Sequence, residues 1–263
     1  MTKLRQLTSI LITGASSGIG AALAMGYART GVNLYLSGRN SDRLASVAKE
    51  CRETGAYVDT RIIDVCDRFE MGTWIVVCNQ ENPLDLVIAN AGISGNSRGA
   101  IKANSSDLID EDITRDIFAT NMAGVLNTVL PSVALMTQRG RGQIAIVSSL
   151  AGLRGLPSAP AYSASKACVR AWGEGLRGQL APAGIAVSVI CPGFVESAIT
   201  DANKFPMPFI MSAPKAASKI IKGLSRNRPR IAFPWPMYSA MWLMSILPLW
   251  LVDPLLAKLP KKS

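Results

Sequence analysis

Short apolar runs and segments of helical periodicity alternate along most of this chain, and that alternation restricts its fold more than any other feature. Runs at Ser9–Thr13, Val32–Ser37, Tyr57–Ile63, Leu84–Ala89, Gln143–Ser148 and Ile185–Ile190 each have the length of a buried strand. Between them, Ile19–Arg29, Arg43–Glu53, Arg68–Cys78 and Ala164–Leu180 carry apolar residues at helical spacing. Strands separated by helices join one sheet through right-handed crossovers. The sheet is then parallel and covered on both faces. The expected fold is α/β, a doubly wound parallel sheet in a single domain over residues 1–233. A hydrophobic C-terminal extension over 234–263 follows it.

Sheets of this kind bind ligands beyond the carboxyl ends of their strands. Polar and glycine-rich residues collect at those places: Gly14–Gly20, Gly38-Arg39-Asn40, Asp64, Asn90-Ala91-Gly92, Ser148-Ser149 and Cys191-Pro192-Gly193. The first cluster, Thr13-Gly14-Ala15-Ser16-Ser17-Gly18-Ile19-Gly20, links the first strand to the first helix. Glycine permits a tight turn there and lets backbone N–H groups approach a pyrophosphate, to which the helix N-terminus adds partial positive charge. No Gly-Lys-Ser/Thr follows, so the turn is not a P-loop.

Composition excludes several chemistries. The chain has no histidine, which removes Ser-His-Asp and Cys-His catalysis and most zinc sites. Its five cysteines are scattered and odd in number, with no CxxC pair, so neither a disulfide framework nor a bound metal is expected. A reducing, cytoplasmic compartment follows. The net charge of +10 suits anionic partners such as a phosphate-bearing cofactor or anionic lipid. The basic residues read as dispersed and not interleaved with aromatics, so nucleic acid is not an expected partner. Lys3 and Arg5 before Ile10-Leu11-Ile12 imitate a signal peptide, but that apolar run is too short for one and reads as a buried strand.

Any acid or base must therefore be Tyr, Lys, Cys or a carboxylate. Tyr162-Ser163-Ala164-Ser165-Lys166 opens a helix, and i,i+4 spacing puts phenol and ammonium on one face. A nearby cation favours phenolate and lowers a pKa that is otherwise near 10. Alone, YxxxK is a common chance pattern. Ser149, thirteen residues before Tyr162 at a strand end, adds a hydroxyl able to steady a developing oxyanion. Alternation along the strand sends Ser148 to the opposite face.

The TGxxxGxG turn, Asn90-Ala91-Gly92, Asn121, Ser149, Tyr162-x-x-x-Lys166 and Pro192-Gly193 occur in the order of the short-chain dehydrogenase/reductase family, which this chain resembles from about residue 7 to about residue 233. The resemblance is to the short branch of the family, and it implies a Rossmann fold and hydride transfer between a nicotinamide and an alcohol or carbonyl carbon. It implies Ser149, Tyr162, Lys166 and Asn121 as the catalytic set. Tyr162 and Lys166 also face the cofactor, the lysine holding the nicotinamide ribose. Asn121 resembles the asparagine that kinks a helix and links a water relay to the lysine. Cofactor contacts are implied for Gly14, Ser16, Ser17, Gly18, Ile19 and Gly20, for Asp64 and Val65 at the adenine, and for Asn90, Ala91 and Gly92. Pro192, Gly193, Val195 and Ser197 fall on the loop that meets the nicotinamide amide. Two departures are mild: Ala89 replaces a frequent asparagine, and Ser197 a usual threonine. Asp64 has an alternative use as a helix cap, for which Asp67 competes.

Leu36-Ser37-Gly38-Arg39-Asn40 lacks the carboxylate that bonds the ribose of NAD, and Arg39 suits a 2′-phosphate, so NADP(H) is the expected cofactor. Phe205, Met207, Phe209, Ile210 and Met211, with Pro206 and Pro208 among them, read as a substrate lid for a small apolar carbonyl or alcohol. From Ile231 to Val252 no residue is charged, and Lys258, Lys261 and Lys262 follow. Pro234, Pro236 and Pro248 interrupt the stretch. Three readings stand for it: a helix at a membrane interface on the inner face, packing in the interface of a homodimer or homotetramer or over the active site, and a membrane span.

Overall fold

The computed structural model describes residues 7–95, 110–197, 200 and 206–256. Seven parallel strands form one sheet in the order β3-β2-β1-β4-β5-β6-β7. They are β1 (Ser9–Thr13), β2 (Asn33–Gly38), β3 (Tyr57–Ile62), β4 (Leu86–Ala89), β5 (Gly142–Val147), β6 (Ile185–Pro192) and β7 (Arg230–Phe233). The helices are α1 (Gly18–Tyr27), α2 (Ser41–Glu53), α3 (Arg68–Glu81), α4 (Glu111–Phe118), α5 (Gly124–Gln138), α6 (Pro160–Leu180), α7 (Ala213–Ser225), α8 (Trp235–Ile246) and α9 (Leu249–Leu256). The chain winds outward from β1 to β3, then crosses to β4 and winds the other way, so the switch point lies between β1 and β4.

The alternation of side chains along each strand builds two cores. Ile10, Ile12, Leu34 and Leu36 pack with Leu23, Leu44 and Ile220 under α1, α2 and α7. Leu11, Tyr35, Val87, Ile144 and Ile146 pack with Ile75, Val129 and Val169 under α3, α5 and α6. Ile10, Leu11 and Ile12 are fully buried, each contributing about 1.5–3 kcal/mol. This is why β1 reads as an uninterrupted apolar run and not as an alternating one.

A strand and several helices had no counterpart in the sequence reading. Residues Ile231–Phe233, taken there as the start of the uncharged tail, pair with Ile190–Pro192 as β7. Pro236 sits in the first turn of α8, where its missing N–H costs nothing, and Pro248 separates α8 from α9. Met241 of α8 is buried with Leu150, Val189 and Cys191, so the extension is packed onto the domain. Helices α4 and α5 run together through a π-helical turn at Ala119–Ala123. That run, 111–138, is apolar and long enough by composition to cross a membrane, yet it packs against β4, β5 and α3.

Candidate active site

The glycine turn is shaped by close approach. Gly14 and Gly18 have φ of 65° and 54°. A Cβ on Gly14 would stand 2.8 Å from Ala91 Cα, and one on Gly18 2.9 Å from Ser197 Cβ. One on Gly20 would strike the Gly14 carbonyl. Asn90 ties the turn to β4: its Nδ2 donates to the Thr13 and Gly14 carbonyls at 3.0 and 3.1 Å. Thr13 Oγ1 in return accepts from the Asn90 and Ala91 amides at 3.1 and 3.2 Å. Ser17, at the N-cap of α1, makes no side-chain cap bond, and the first turn holds no acid. The N-terminal N–H groups of α1 therefore suit an anion, as a dinucleotide pyrophosphate requires. Ile19 is partly buried on the core beneath.

Beside this turn, a Cβ on Gly38 would lie 3.1 Å from Ser16 Oγ, so Ser16 and the end of β2 adjoin. Arg39 follows, exposed, while Asn40 caps α2 by accepting from Arg43 N at 2.8 Å. Asp67, not Asp64, caps α3, accepting from Glu70 N at 2.8 Å. Asp64 Oδ1 accepts from Cys66 N at 3.0 Å. Val65 turns its side chain into the core against Gly124, and its carbonyl accepts from Asn127 Nδ2 at 2.9 Å.

Residues far apart in sequence meet beyond β4, β5 and β6. Lys166 is buried on α6 and its Nζ donates to the Val147 carbonyl at 2.9 Å, lying 5.8 Å over the Tyr162 ring. Tyr162 occupies the first turn of α6, partly exposed at the cleft. Burial of its phenol raises the pKa, and the Ser149 hydroxyl beside it opposes the rise. Burial of Lys166 lowers its pKa to about 8, with Cys191 acting in the other direction. Ser149 Oγ accepts from Ala151 N at 3.1 Å, which starts a single 3₁₀ turn at Leu150–Leu153. Ser148 points away and donates to the Lys166 carbonyl at 2.7 Å.

Asn121 lies in the π turn, fully buried. Its Nδ2 donates to the Ile93 carbonyl and to Ser165 Oγ, at 2.8 and 3.0 Å, and its Oδ1 accepts from Ile93 N at 2.8 Å. A Cβ on Gly92 would be 3.0 Å from Asn121 Oδ1 and 3.1 Å from Lys166 Nζ, so the three adjoin.

The loop after β6 closes the site. Ser149 Oγ donates to the Pro192 carbonyl at 3.4 Å, and Gly193 N to Phe233 at 2.7 Å. Val195 bridges to Met211, and Ser197 rests on Gly18 while its N–H donates to Thr200 Oγ1 at 2.8 Å. Of the expected lid, Met207, Phe209, Ile210 and Met211 are described and Phe205 lies outside the described residues. Two surface grooves of about 690 and 710 Å³ lie between α1 and α7 and between α3 and α5. Neither borders Tyr162, and convergent polar groups outweigh simple concavity in locating a site.

Three participants escaped the sequence reading. Ser165 joins Asn121 to the Tyr162 carbonyl, which it bonds at 2.8 Å, and its position between Tyr162 and Lys166 was the available signal. Val147 acts through its carbonyl, which no side-chain pattern reveals. Gly152 lets the 3₁₀ turn touch α6, since a Cβ there would stand 2.7 Å from the Lys166 carbonyl carbon.

Comparison with known proteins agrees with this fold. A family model described as short chain dehydrogenase matches residues 8–206. An uncharacterized oxidoreductase of Myxococcus xanthus is 38% identical over 239 residues, covering 90% of this chain and 92% of the relative. A short-chain dehydrogenase from Sphingobium yanoikuyae in complex with NADPH shares the fold, with TM-score 0.78 and 23% identity over 98% of both chains. An actinorhodin polyketide ketoreductase variant with NADPH superposes with TM-score 0.73 at 26% identity, covering 87% of this chain and 96% of that one. With its strand order reversing between β1 and β4 and the family match over most of its length, the chain is a member of the short-chain dehydrogenase/reductase family of oxidoreductases.

Proposed function

We propose that this oxidoreductase is NADP-dependent and moves a hydride between the nicotinamide and the carbonyl or alcohol carbon of a small apolar substrate, with Tyr162 as general acid and base. The observation that carries the reading is the meeting of Ser149, Tyr162, Lys166 and Asn121 from the end of β5, from α6 and from the π turn. The residues suited to hold the dinucleotide are Gly14, Ser16, Ser17, Gly18, Ile19 and Gly20 at the pyrophosphate, Arg39 at the 2′-phosphate, and Asp64 and Val65 at the adenine. Asn90, Ala91 and Gly92, with Pro192, Gly193, Val195 and Ser197, flank the nicotinamide half. When bound, the cofactor supplies or accepts the hydride.

In the reducing direction Tyr162 gives its phenolic proton to the carbonyl oxygen, and Ser149 turns its hydroxyl from the Pro192 carbonyl to donate a second hydrogen bond to that oxygen. Burial raises the pKa of the phenol, against the lowering expected of the Lys166 ammonium. Lys166 returns a proton to Tyr162 and is itself reprotonated from solvent through water at Asn121. NADP preference is supported by Arg39 and by the absence of a carboxylate at the end of β2. It is supported also by the NADPH in the ketoreductase relative. Exposed Phe209 and Ile210 beside the cleft loop support an apolar substrate. Assembly as a homodimer or homotetramer is part of this reading, supported by exposed Phe69, Val76 and Val77 on α3 and Leu126 and Leu130 on α5. A cytoplasmic setting fits five unpaired cysteines.

Tyr162→Phe tests the proposal. It should lower kcat for carbonyl reduction by about 10²–10⁴-fold while NADPH affinity stays nearly constant. Turnover retained at the parental rate would refute the role of Tyr162.

A further inference from the structure

The acid–base pair on α6 does not stand alone on its ridge. Tyr162, Lys166, Arg170 and Glu174 follow one another at i,i+4 spacing, which places them along one side of the helix. The first two belong to the candidate site, and the proposed chemistry makes no use of the other two. Arg170 reaches across to the 3₁₀ turn at Leu150–Leu153, its Nε donating to the Gly152 carbonyl at 3.1 Å. Glu174 grips the same guanidinium, its two oxygens accepting from Arg170 Nη1 at 3.3 and 3.1 Å. Arg230, from β7, donates to Glu174 from Nε at 3.1 Å and also from Nη2. Its Nη1 donates to the Tyr238 hydroxyl on α8 at 3.1 Å.

Exposed ion pairs contribute little to a fold, but these three charged side chains are only 22–33% exposed and their hydrogen bonds are charge-assisted. The bonds end on a buried peptide group, that of Gly152. From there the turn leads straight back to Ser149. Gly152 N donates to the Ser149 carbonyl at 3.0 Å, and Ala151 N to Ser149 Oγ at 3.1 Å. Among the described residues, the hydrogen bond that joins residues 150–153 to α6 is the one made by Arg170.

We propose that Arg170 is a positioning residue for Ser149. It clamps the turn that begins at Ser149 onto the helix that carries Tyr162, and so sets the spacing of the two hydroxyls. Glu174, braced by Arg230, fixes the guanidinium in that pose. Without the carboxylate, a long and partly exposed arginine has other rotamers open to it on the solvent side. Misplacing a reacting group by about 1 Å costs on the order of a hundredfold in rate, so a clamp at this distance from the chemistry acts on kcat. The inference rests on the redox reading above.

A double-mutant cycle on kcat tests it, with NADPH and whichever linear methyl ketone of a chain-length series the parent reduces fastest. Arg170→Met, which keeps the apolar stem, should lower kcat by about 10- to 100-fold with NADPH affinity unchanged. In a Ser149→Ala background the same substitution should cost less than about threefold, because the group it positions is already gone. Glu174→Gln, close in shape to the parent, should lower kcat by about three- to tenfold and lose that effect in the Ser149→Ala background. It carries the test if circular dichroism shows Arg170→Met unfolded. Equal fold-losses in both backgrounds would assign the cluster to general stability and overturn the proposal, as would parental kcat in the single variants. Parental kcat in Ser149→Ala, or a series in which no ketone is reduced, would instead refute the redox reading and this proposal with it.

Discussion

Lys166 carries opposing demands. Its ammonium is useful beside a phenol, yet burial disfavours the charge and holds its pKa at about 8, below the ordinary 10.5. Between those values the unfolded chain holds the proton more tightly than the folded one. Stability therefore rises with pH from about 8 to about 10.5, and below about 8 the penalty for the buried charge is present in full. Lys166→Met removes this dependence. The stability difference between parent and variant, from urea titrations, should shift on the order of 3 kcal/mol in favour of the parent across that window. A difference that stays flat with pH would contradict a depressed lysine. Arg39 is the other residue whose chemistry can be isolated. It is exposed at the end of β2 and free of other duty among the hydrogen bonds of the described residues. Arg39→Asp should reverse the order of NADPH and NADH affinity, weakening NADPH by about ten- to a hundredfold in fluorescence titration. Equal affinities in the parent chain would remove the argument for NADP.

At the scale of elements, the site depends on how closely three pieces of backbone approach. The 3₁₀ turn after Ser149 touches α6 at Gly152, where a Cβ would meet the Lys166 carbonyl carbon at 2.7 Å and its oxygen at 2.8 Å. Both neighbours are main chain and cannot rotate away. Gly152→Ala should thus push the turn off α6, destabilise the fold by about 1–3 kcal/mol and lower kcat by displacing Ser149 from Tyr162. A variant with parental stability and kcat would show that the turn is not so constrained. The π turn serves a similar end. It sets Asn121 where one amide satisfies both Ile93 groups and Ser165, joining the strap after β4 to α6. The glycine turn, strand ends and YxxxK helix were legible because each is written in consecutive residues. The helix kink at Asn121 entered through the family resemblance alone, and the Gly152 contact was not legible, since it is a property of packing between distant segments.

For the whole molecule, the doubly wound sheet has its switch point between β1 and β4, where sheets of this kind bind ligands, and the cofactor should bind the folded chain only. NADPH at a hundred times its Kd should stabilise the protein by about 2.7 kcal/mol, read as a rise in Tm. No rise would deny the cleft its dinucleotide. The tail belongs to this scale as well. A cut after Arg230 would strip Ile231, Ala232 and Phe233 from the sheet and unseat Met241, so surface substitutions are the informative variants there.

The first six strands with α1, α2, α3 and α6, the glycine turn, the basic residue after β2 and the YxxxK pair follow from the sequence itself. Each rests on periodicity or on chemistry carried by neighbouring residues, while Ser149 and Asn121 joined the set through the order of the family's motifs. Tertiary structure alone decided that Ile231–Phe233 complete the sheet as β7, because a four-residue strand at an edge has too few positions to show a period. Packing likewise decided that Val65 faces the core, that the Asn121 amide is spent on Ile93 and Ser165, and that α8 hides Met241 while exposing its tryptophans. A side chain's partner across the fold depends on where another segment comes to rest, and no local pattern records that.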